Sequence, residues 1–311
     1  MTSENFNPSK SFKLIEMDNH FNHLIKLYKF KKFPKVVLMS GKKGSGKFTL
    51  VNHFLNYIFS EDTYDLQRKT IDQKSKVYND QINNVFTNII HLKNDEGVTT
   101  KIDDIRILKS VISKSVFNNK PRYIIIDDAE LLNINSSNAL LKIIEEPTKD
   151  NHFIIIDNQQ KDIVDTISSR CFKMNIFLKK SEEIQIIKYL IKRFKIENEL
   201  DYIKLDLTPG LFLKYNSLCF ENSITNEMNY LNKIEKLLLL FKKSKNKSFI
   251  NLSLLFTNHH FYDLSLINNK NIFLNEAIKK KIIFLINDFF IYNLNINSIL
   301  NSINLCFKHA K

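Results

Sequence analysis

Tryptophan is absent, glycine and proline occur five times each, and cysteine three times. So few glycines and prolines exclude collagen-like and low-complexity architectures. Cys171, Cys219 and Cys306 stand far apart with no Cys-x-x-Cys pair, which excludes a zinc module and a disulfide framework and fits a reducing compartment. Long apolar runs are also missing. Leu237 to Phe241 and Ile282 to Ile286 are the longest, far too short to cross a bilayer. Met1 to Lys10 is polar and lacks the apolar core of a signal segment, so a cytoplasmic chain without a membrane partner is expected. No Gly-x-Ser-x-Gly elbow or Cys–His nucleophile pattern occurs. Acidic residues are the scarcer charge, 33 against 46 Lys and Arg, which leaves a formal net charge of +13.

That charge admits two readings. It is the footprint of a polyanion partner, or it is drift toward Lys in an AT-rich genome, in keeping with the abundance of Lys, Asn, Ile and Phe. The basic residues are dispersed, with small clusters at Lys29-Phe30-Lys31-Lys32 and Lys279-Lys280-Lys281 and no continuous basic arm.

The 311 residues suffice for two or three domains with their own cores. Residues 11 to 33 carry Leu24, Leu27, Tyr28 and Phe30 at helical spacing, and Pro34 ends that helix. Four short apolar runs read as buried parallel strands: Val36 to Met39, Ile89 to Leu92, Tyr123 to Ile126 and Phe153 to Ile156. Helical periodicity lies between them. Leu50, Val51, Phe54, Leu55 and Ile58 form one face; Asp103 and Asp104 open a helix with Ile105, Leu108, Val111 and Ile112; a third runs from Ser136 to Glu146 and stops at Pro147. Ser60 to Asn84 is charged and irregular. Strands alternating with helices imply a parallel sheet. From about Leu178 strand-like runs vanish, and Thr208-Pro209-Gly210 punctuates an otherwise helical remainder.

Between the first strand and the following helix stands Gly41-Lys42-Lys43-Gly44-Ser45-Gly46-Lys47-Phe48-Thr49. Gly41, Gly44, Gly46 and Lys47 make a phosphate-binding loop, whose backbone N–H groups and ammonium cradle phosphates. The pattern next requires Ser or Thr, whose hydroxyl holds Mg²⁺. Phe48 takes that position, and Thr49, about 100° further round the helix, faces elsewhere. Asp127 ends an apolar strand where a Walker B aspartate orients Mg²⁺. Asp128 follows where an ATPase uses Glu; one methylene withdraws the carboxylate by ~1.5 Å, and a misplacement of that size costs on the order of 10²-fold in rate.

Ser136-Ser137-Asn138-Ala139-Leu140-Leu141-Lys142-Ile143-Ile144-Glu145-Glu146-Pro147 and, downstream, Ser169-Arg170-Cys171 complete a set that resembles clamp-loader subunits of the AAA+ superfamily over roughly residues 14 to 215. The resemblance implies an α/β P-loop AAA+ domain with a parallel sheet flanked by helices (1–176), a small helical lid domain (177–216) and a C-terminal all-helical collar domain for oligomerisation (217–311). It makes Arg170 an arginine finger acting in trans, a guanidinium that stabilises charge on a neighbour's γ-phosphoryl. It places Asn158 of Asp157-Asn158 near the polar sensor after the fourth strand. Leu211 of Thr208-Pro209-Gly210-Leu211 falls where a second sensor has Arg. The Glu145-Glu146 pair reads as a solvated helix end. His20 with His23, and His259 with His260, lack companion ligands, so no metal site is expected.

Impaired hydrolysis beside an intact finger is similar to the delta-prime subunits of the bacterial DNA polymerase III clamp loader. That resemblance implies gamma/tau and delta subunits, the sliding clamp and primer–template DNA as partners, with a weak or vestigial ATP/ADP site, no dependable Mg²⁺ and no zinc. Two other readings stay open. One is an active gamma/tau-type motor or another AAA+ ATPase, against which Phe48, Asp128, Leu211 and the lack of Cys between residues 50 and 126 count. The other is a nucleic-acid binding module that uses the net charge, with steep salt dependence.

Overall fold

A computed structural model describes residues 7–83, 85–92, 102–114, 120–267 and 272–308. The chain divides into two compact units, one of Met1–Ile196 with Thr208–Leu213 and one of Glu197–Leu207 with Lys214–Lys311. Residues 177–216 are thus shared between them.

In the first unit, five parallel strands lie in the order β2-β3-β4-β1-β5. They are β1 (Val36–Ser40), β2 (Ile89–Leu92), β3 (Arg122–Ile126), β4 (Asn151–Asp157) and β5 (Phe172–Asn175). Strand side chains alternate in direction, and each face has its own core. Val37, Met39, Tyr123, Ile125, Ile154 and Ile156 pack with α1 (Asp18–Lys29) and α2 (Lys47–Phe59). Val36, Leu38, Ile124, Ile126, Phe153 and Ile155 pack with α4 (Ile102–Ile112) and α5 (Ile134–Ile144). Helices on both faces explain the unbroken apolar runs Val36–Met39, Tyr123–Ile126 and Phe153–Ile156 within the central strands. Phe54 of α2 is fully buried, 5.1 Å from the ring of Phe33 in a stacked pair and edge-on to Tyr28 and Tyr123.

The structure departs from the sequence expectation at four places. Residues 11–17 are not helical: Lys13 bridges Thr70, and Leu14 N–H donates to the Lys69 carbonyl, so this segment runs alongside 69–71 before α1 begins. Phe30, expected on the apolar face of that helix, follows its end and is exposed. The irregular stretch before β2 holds α3 (Lys76–Ile82), capped by the Ser75 hydroxyl, which accepts from Tyr78 N–H. The fifth strand is new. β5 lies at a sheet edge with only Met174 buried, so it has no apolar run to betray it.

After α6 (Asp165–Ser168), α7 (Lys180–Phe194) carries basic residues in its last turn. α8 (Pro209–Glu221) starts in the first unit and continues in the second. There α9 (Tyr230–Ser244), α10 (Lys247–Ile267), α11 (Ile272–Tyr292) and α12 (Ile296–Lys308) pack α9 on α10, α10 on α11, and α12 on both α11 and α9. Ile234, Leu237, Leu238, Ile282, Ile286 and Phe289 fill the bundle. Tyr230 stacks on His260 at 4.3 Å, and His259 Nδ1 lies 3.2 Å from Asp263. Among the described residues no helix is long and apolar enough to cross a membrane.

These cores rank substitutions. Phe54→Ala is expected to cost about 3–5 kcal/mol of stability. Phe273→Ala, at a residue 92% exposed on α11, should stay within roughly 0.5 kcal/mol of wild type. Guanidinium unfolding followed by tyrosine fluorescence, unobscured because the chain has no Trp, measures both; equal shifts would refute the burial ranking.

Candidate functional site

The carboxyl ends of β1, β3 and β4 are neighbours in the sheet, and the glycine loop leaves from β1. Gly41 N–H donates to the Asp157 carbonyl at 3.2 Å, carrying the β1–β4 pairing one step into the loop. Gly44 and Gly46 have φ of 79° and 90°, conformations that glycine adopts without strain. Gly46 then serves as N-cap of α2, which directs that helix's unsatisfied N–H groups toward the loop.

Lys47 is buried at the base. Its Nζ donates to the carbonyls of Gly41 at 2.6 Å and Lys42 at 2.8 Å, so the ammonium closes the loop on itself. Burial pushes its pKa down to about 8, against the attraction of Asp127, Glu130, Asp157 and Asp128. The Ser45 hydroxyl is buried with no hydrogen-bond partner among the described residues. Thr208-Pro209-Gly210 rests on the loop: the Thr208 hydroxyl donates to the Lys43 carbonyl at 2.7 Å and Gly210 N–H to the Gly44 carbonyl at 2.8 Å. The contact is close enough that a Cβ on Gly44 would meet Leu211 N at 2.8 Å. Half-buried Leu211 is therefore beside the loop through its backbone.

Phe48 offers no oxygen to a metal ion. Its ring stacks on His91 of β2 at 4.5 Å and packs against the α1/α2 core. Thr49 is half-buried one residue further along α2. The backbone cradle and Lys47 fit a phosphate; Phe48 does not fit the Mg²⁺ that normally accompanies one.

Asp127, Asp128 and Asn158 do come together. Asn158 Nδ2 donates to Asp128 Oδ1 at 2.7 Å and lies 3.4 Å from Asp127 Oδ1. Asp128 adopts φ 50°, and its N–H donates to the Asp127 carboxylate at 2.9 Å. Three residues outside the sequence expectation join them. Lys43 Nζ reaches Asp128 Oδ1 at 3.3 Å. Gln160 Nε2 donates to Asp128 Oδ1 at 3.1 Å and to Glu130 Oε1 at 3.0 Å. Glu130 also accepts from Asn158 N–H at 3.1 Å. Burial raises the Glu130 and Asp127 pKa values; at Asp127 the charge of Asp128 adds to the effect. Glu130 was visible in sequence two positions after Asp128, but nothing there showed that it turns inward.

Arg170 is elsewhere, in the turn after α6. Cys171 anchors that turn: its thiol donates to the Ile167 carbonyl at 3.0 Å and packs against the α4/α5 core, where burial pushes its pKa up to about 11. Arg170 itself is exposed. Its Nη1 donates to the Thr166 carbonyl at 3.0 Å, and its Nε lies 2.9 Å from Glu145 Oε1. Glu145 is thus more than a solvated helix end. His20 Nε2 shares a hydrogen bond with the Phe177 carbonyl, and His23 is exposed.

Lys47 makes the site pH-sensitive. Above pH of about 8 the folded lysine releases its proton, while the unfolded one holds it to about 10.5. The unfolded state then binds more protons, so stability rises with pH across that window, by on the order of 1 kcal/mol per unit. Lys47→Met lacks this contribution. Between pH 7.5 and 9.5 the stability difference between the two proteins should move in favour of wild type; a difference independent of pH would contradict the assignment.

Against known proteins, a family model described as DNA polymerase III, delta subunit, matches residues 17–180. DNA polymerase III subunit delta′ of Bacillus subtilis is 35% identical over 82 residues, 26% of this chain and 25% of that protein. Subunit delta′ of Buchnera aphidicola is 27% identical over 179 residues, 57% of this chain and 54% of that one. Subunit gamma of the same organism is 29% identical over 161 residues, 50% of this chain and 42% of its relative. The chain spans between a quarter and about half the length of these curated relatives. The family match takes in more than half of the chain, from α1 through the glycine loop, the Asp127 cluster and Arg170, and on that ground the chain belongs to the DNA polymerase III, delta subunit family.

Proposed function

We propose that this chain is a clamp-loader subunit of the delta-prime type, acting in DNA replication by helping to load a sliding clamp onto primed DNA. One observation carries the reading: Arg170 projects from an anchored turn and makes its contacts with Glu145, Thr166 and Ser169 rather than with the chain's own phosphate loop. A guanidinium so placed is available to an anion on another molecule. In an ATP-driven assembly, the anion it suits is the γ-phosphoryl of a neighbour, where transition-state charge is stabilised by an arginine delivered in trans.

The chain's own site supports a minor catalytic share. Phe48 is committed to a stack with His91, and Asp128 is held by Asn158, Gln160 and Lys43. ATP or ADP at this loop is weakly held or vestigial, without zinc. The partners are gamma/tau and delta subunits, the sliding clamp and primer–template DNA, in the bacterial cytoplasm.

A gamma/tau-type motor is the second reading. It is favoured by the intact glycines, Lys47 and Asp127, and by the similarity to subunit gamma.

Reconstitution with gamma/tau, delta and the clamp separates the two. Arg170→Ala should assemble normally and lower DNA-stimulated ATP turnover about tenfold or more, while wild-type chain alone hydrolyses little ATP. Normal turnover and loading by the variant would remove Arg170 from the mechanism. Strong hydrolysis by the isolated chain, abolished by Lys47→Ala, would establish the motor instead.

A further inference from the structure

We infer that Glu145 is a positioning residue, which fixes the orientation of the Arg170 guanidinium for its work in trans. The inference rests on the finger reading of Arg170 and adds a second residue to it. Glu145 is the C-cap of α5, and its carboxylate takes Nε of Arg170 at 2.9 Å. Nη1 is bound on the protein side, to the Thr166 carbonyl at 3.0 Å and near the Ser169 hydroxyl at 3.4 Å. These contacts define two corners of a rigid, planar fork and with them its plane. Nη2 is the remaining corner, with two N–H donors for an incoming anion.

Three physical points favour orientation over folding as the purpose. The two side chains are 42% and 44% exposed, and a pair in that setting contributes little to stability. A carboxylate at a helix C-terminus meets the negative end of the helix dipole, which is unfavourable, so α5 itself gains nothing from Glu145. An unrestrained arginine samples many rotamers, and displacement of a reacting group's partner by about 1 Å costs on the order of 10²-fold in rate. Cys171 fixes where the backbone of this turn sits; Glu145 fixes where the end of the side chain points.

The test uses the reconstituted complex with full-length chain carrying Glu145→Ala, Glu145→Gln, Arg170→Ala or the Glu145→Ala/Arg170→Ala pair. Glu145→Ala should lower kcat for DNA-stimulated ATP hydrolysis roughly three- to tenfold, a part of the loss that misplacement causes. KM for ATP, assembly and the unfolding midpoint of the chain should be unchanged. Glu145→Gln, which keeps an acceptor, should fall between. On the Arg170→Ala background, Glu145→Ala should cause no further loss, because its effect runs through the arginine. An unchanged or raised rate for Glu145→Ala, or a loss that adds fully to that of Arg170→Ala, overturns the inference and leaves the finger standing. A wild-type rate for Arg170→Ala overturns both.

Discussion

Parallel pairing of β1 with β4 is the constraint on which the site depends. A parallel ladder sets its strands' carboxyl ends side by side, and the ladder here does not stop at the last strand residue. Gly41 N–H continues it onto the Asp157 carbonyl. That bond fixes the departure of the glycine loop relative to Asn158, the residue after Asp157. Because β3 lies on the other side of β4, Asp127 and Asp128 arrive at the same edge. Ligands of open α/β sheets are held at this carboxyl edge, and the first unit keeps the scaffold for one. Crossing helices seal both sheet faces, which removes water from the strands and makes their hydrogen bonds costly to break.

At that edge the charges serve one another. Lys47 is buried and turned onto its own loop carbonyls, while Lys43 pairs with Asp128. Glu130, Asn158 and Gln160 complete a network in which each carboxylate has named donors. Buried polar groups held this way rigidify a region when their bonds are satisfied. The stack of Phe48 on His91 has a similar effect, since it ties the start of α2 to β2. The glycine loop thus keeps its shape with Phe48, not a hydroxyl residue, after Lys47.

How much of this was legible in sequence follows from where each signal resides. The three inner strands announce themselves because burial on both faces requires an unbroken apolar run, as in Ile124-Ile125-Ile126 and Ile154-Ile155-Ile156, and β2, half-buried at one edge, still carries Ile89 and Ile90. β5 does not, because an edge strand buries only Met174. The first helix reads too long because Phe30 falls on its spacing, although Lys31 beyond it takes φ 56° and turns the chain. α3 is hidden because a seven-residue helix with a single buried residue, Tyr78, carries too little periodicity. The glycine loop, Asp127 and Arg170 stand in local strings with their own chemistry. Gln160 and Glu130 meet across thirty positions through β3–β4 adjacency, and Glu145 meets Arg170 across α5 and α6. Partnerships that the fold creates leave no mark on local spacing.

On the proposed reading, the cis and trans halves of the chemistry part company around one sheet. At its carboxyl edge, the groups that would act on a nucleotide in cis are paired, stacked or withdrawn. In the turn after α6, a guanidinium is held by a carboxylate and a backbone carbonyl, beside a half-buried cysteine whose thiol pKa is raised by burial. A finger must keep one geometry while a neighbour's site changes around it, so rigidity in its own unit is an asset. An active motor has the opposite need, since its loop must open for nucleotide exchange. The self-closed Lys47, the Thr208-Pro209-Gly210 segment seated on Gly44 and the committed Phe48 all oppose such opening. On the proposed reading, stiffness at the loop and exposure at Arg170 are consistent demands on a subunit that completes another's catalysis.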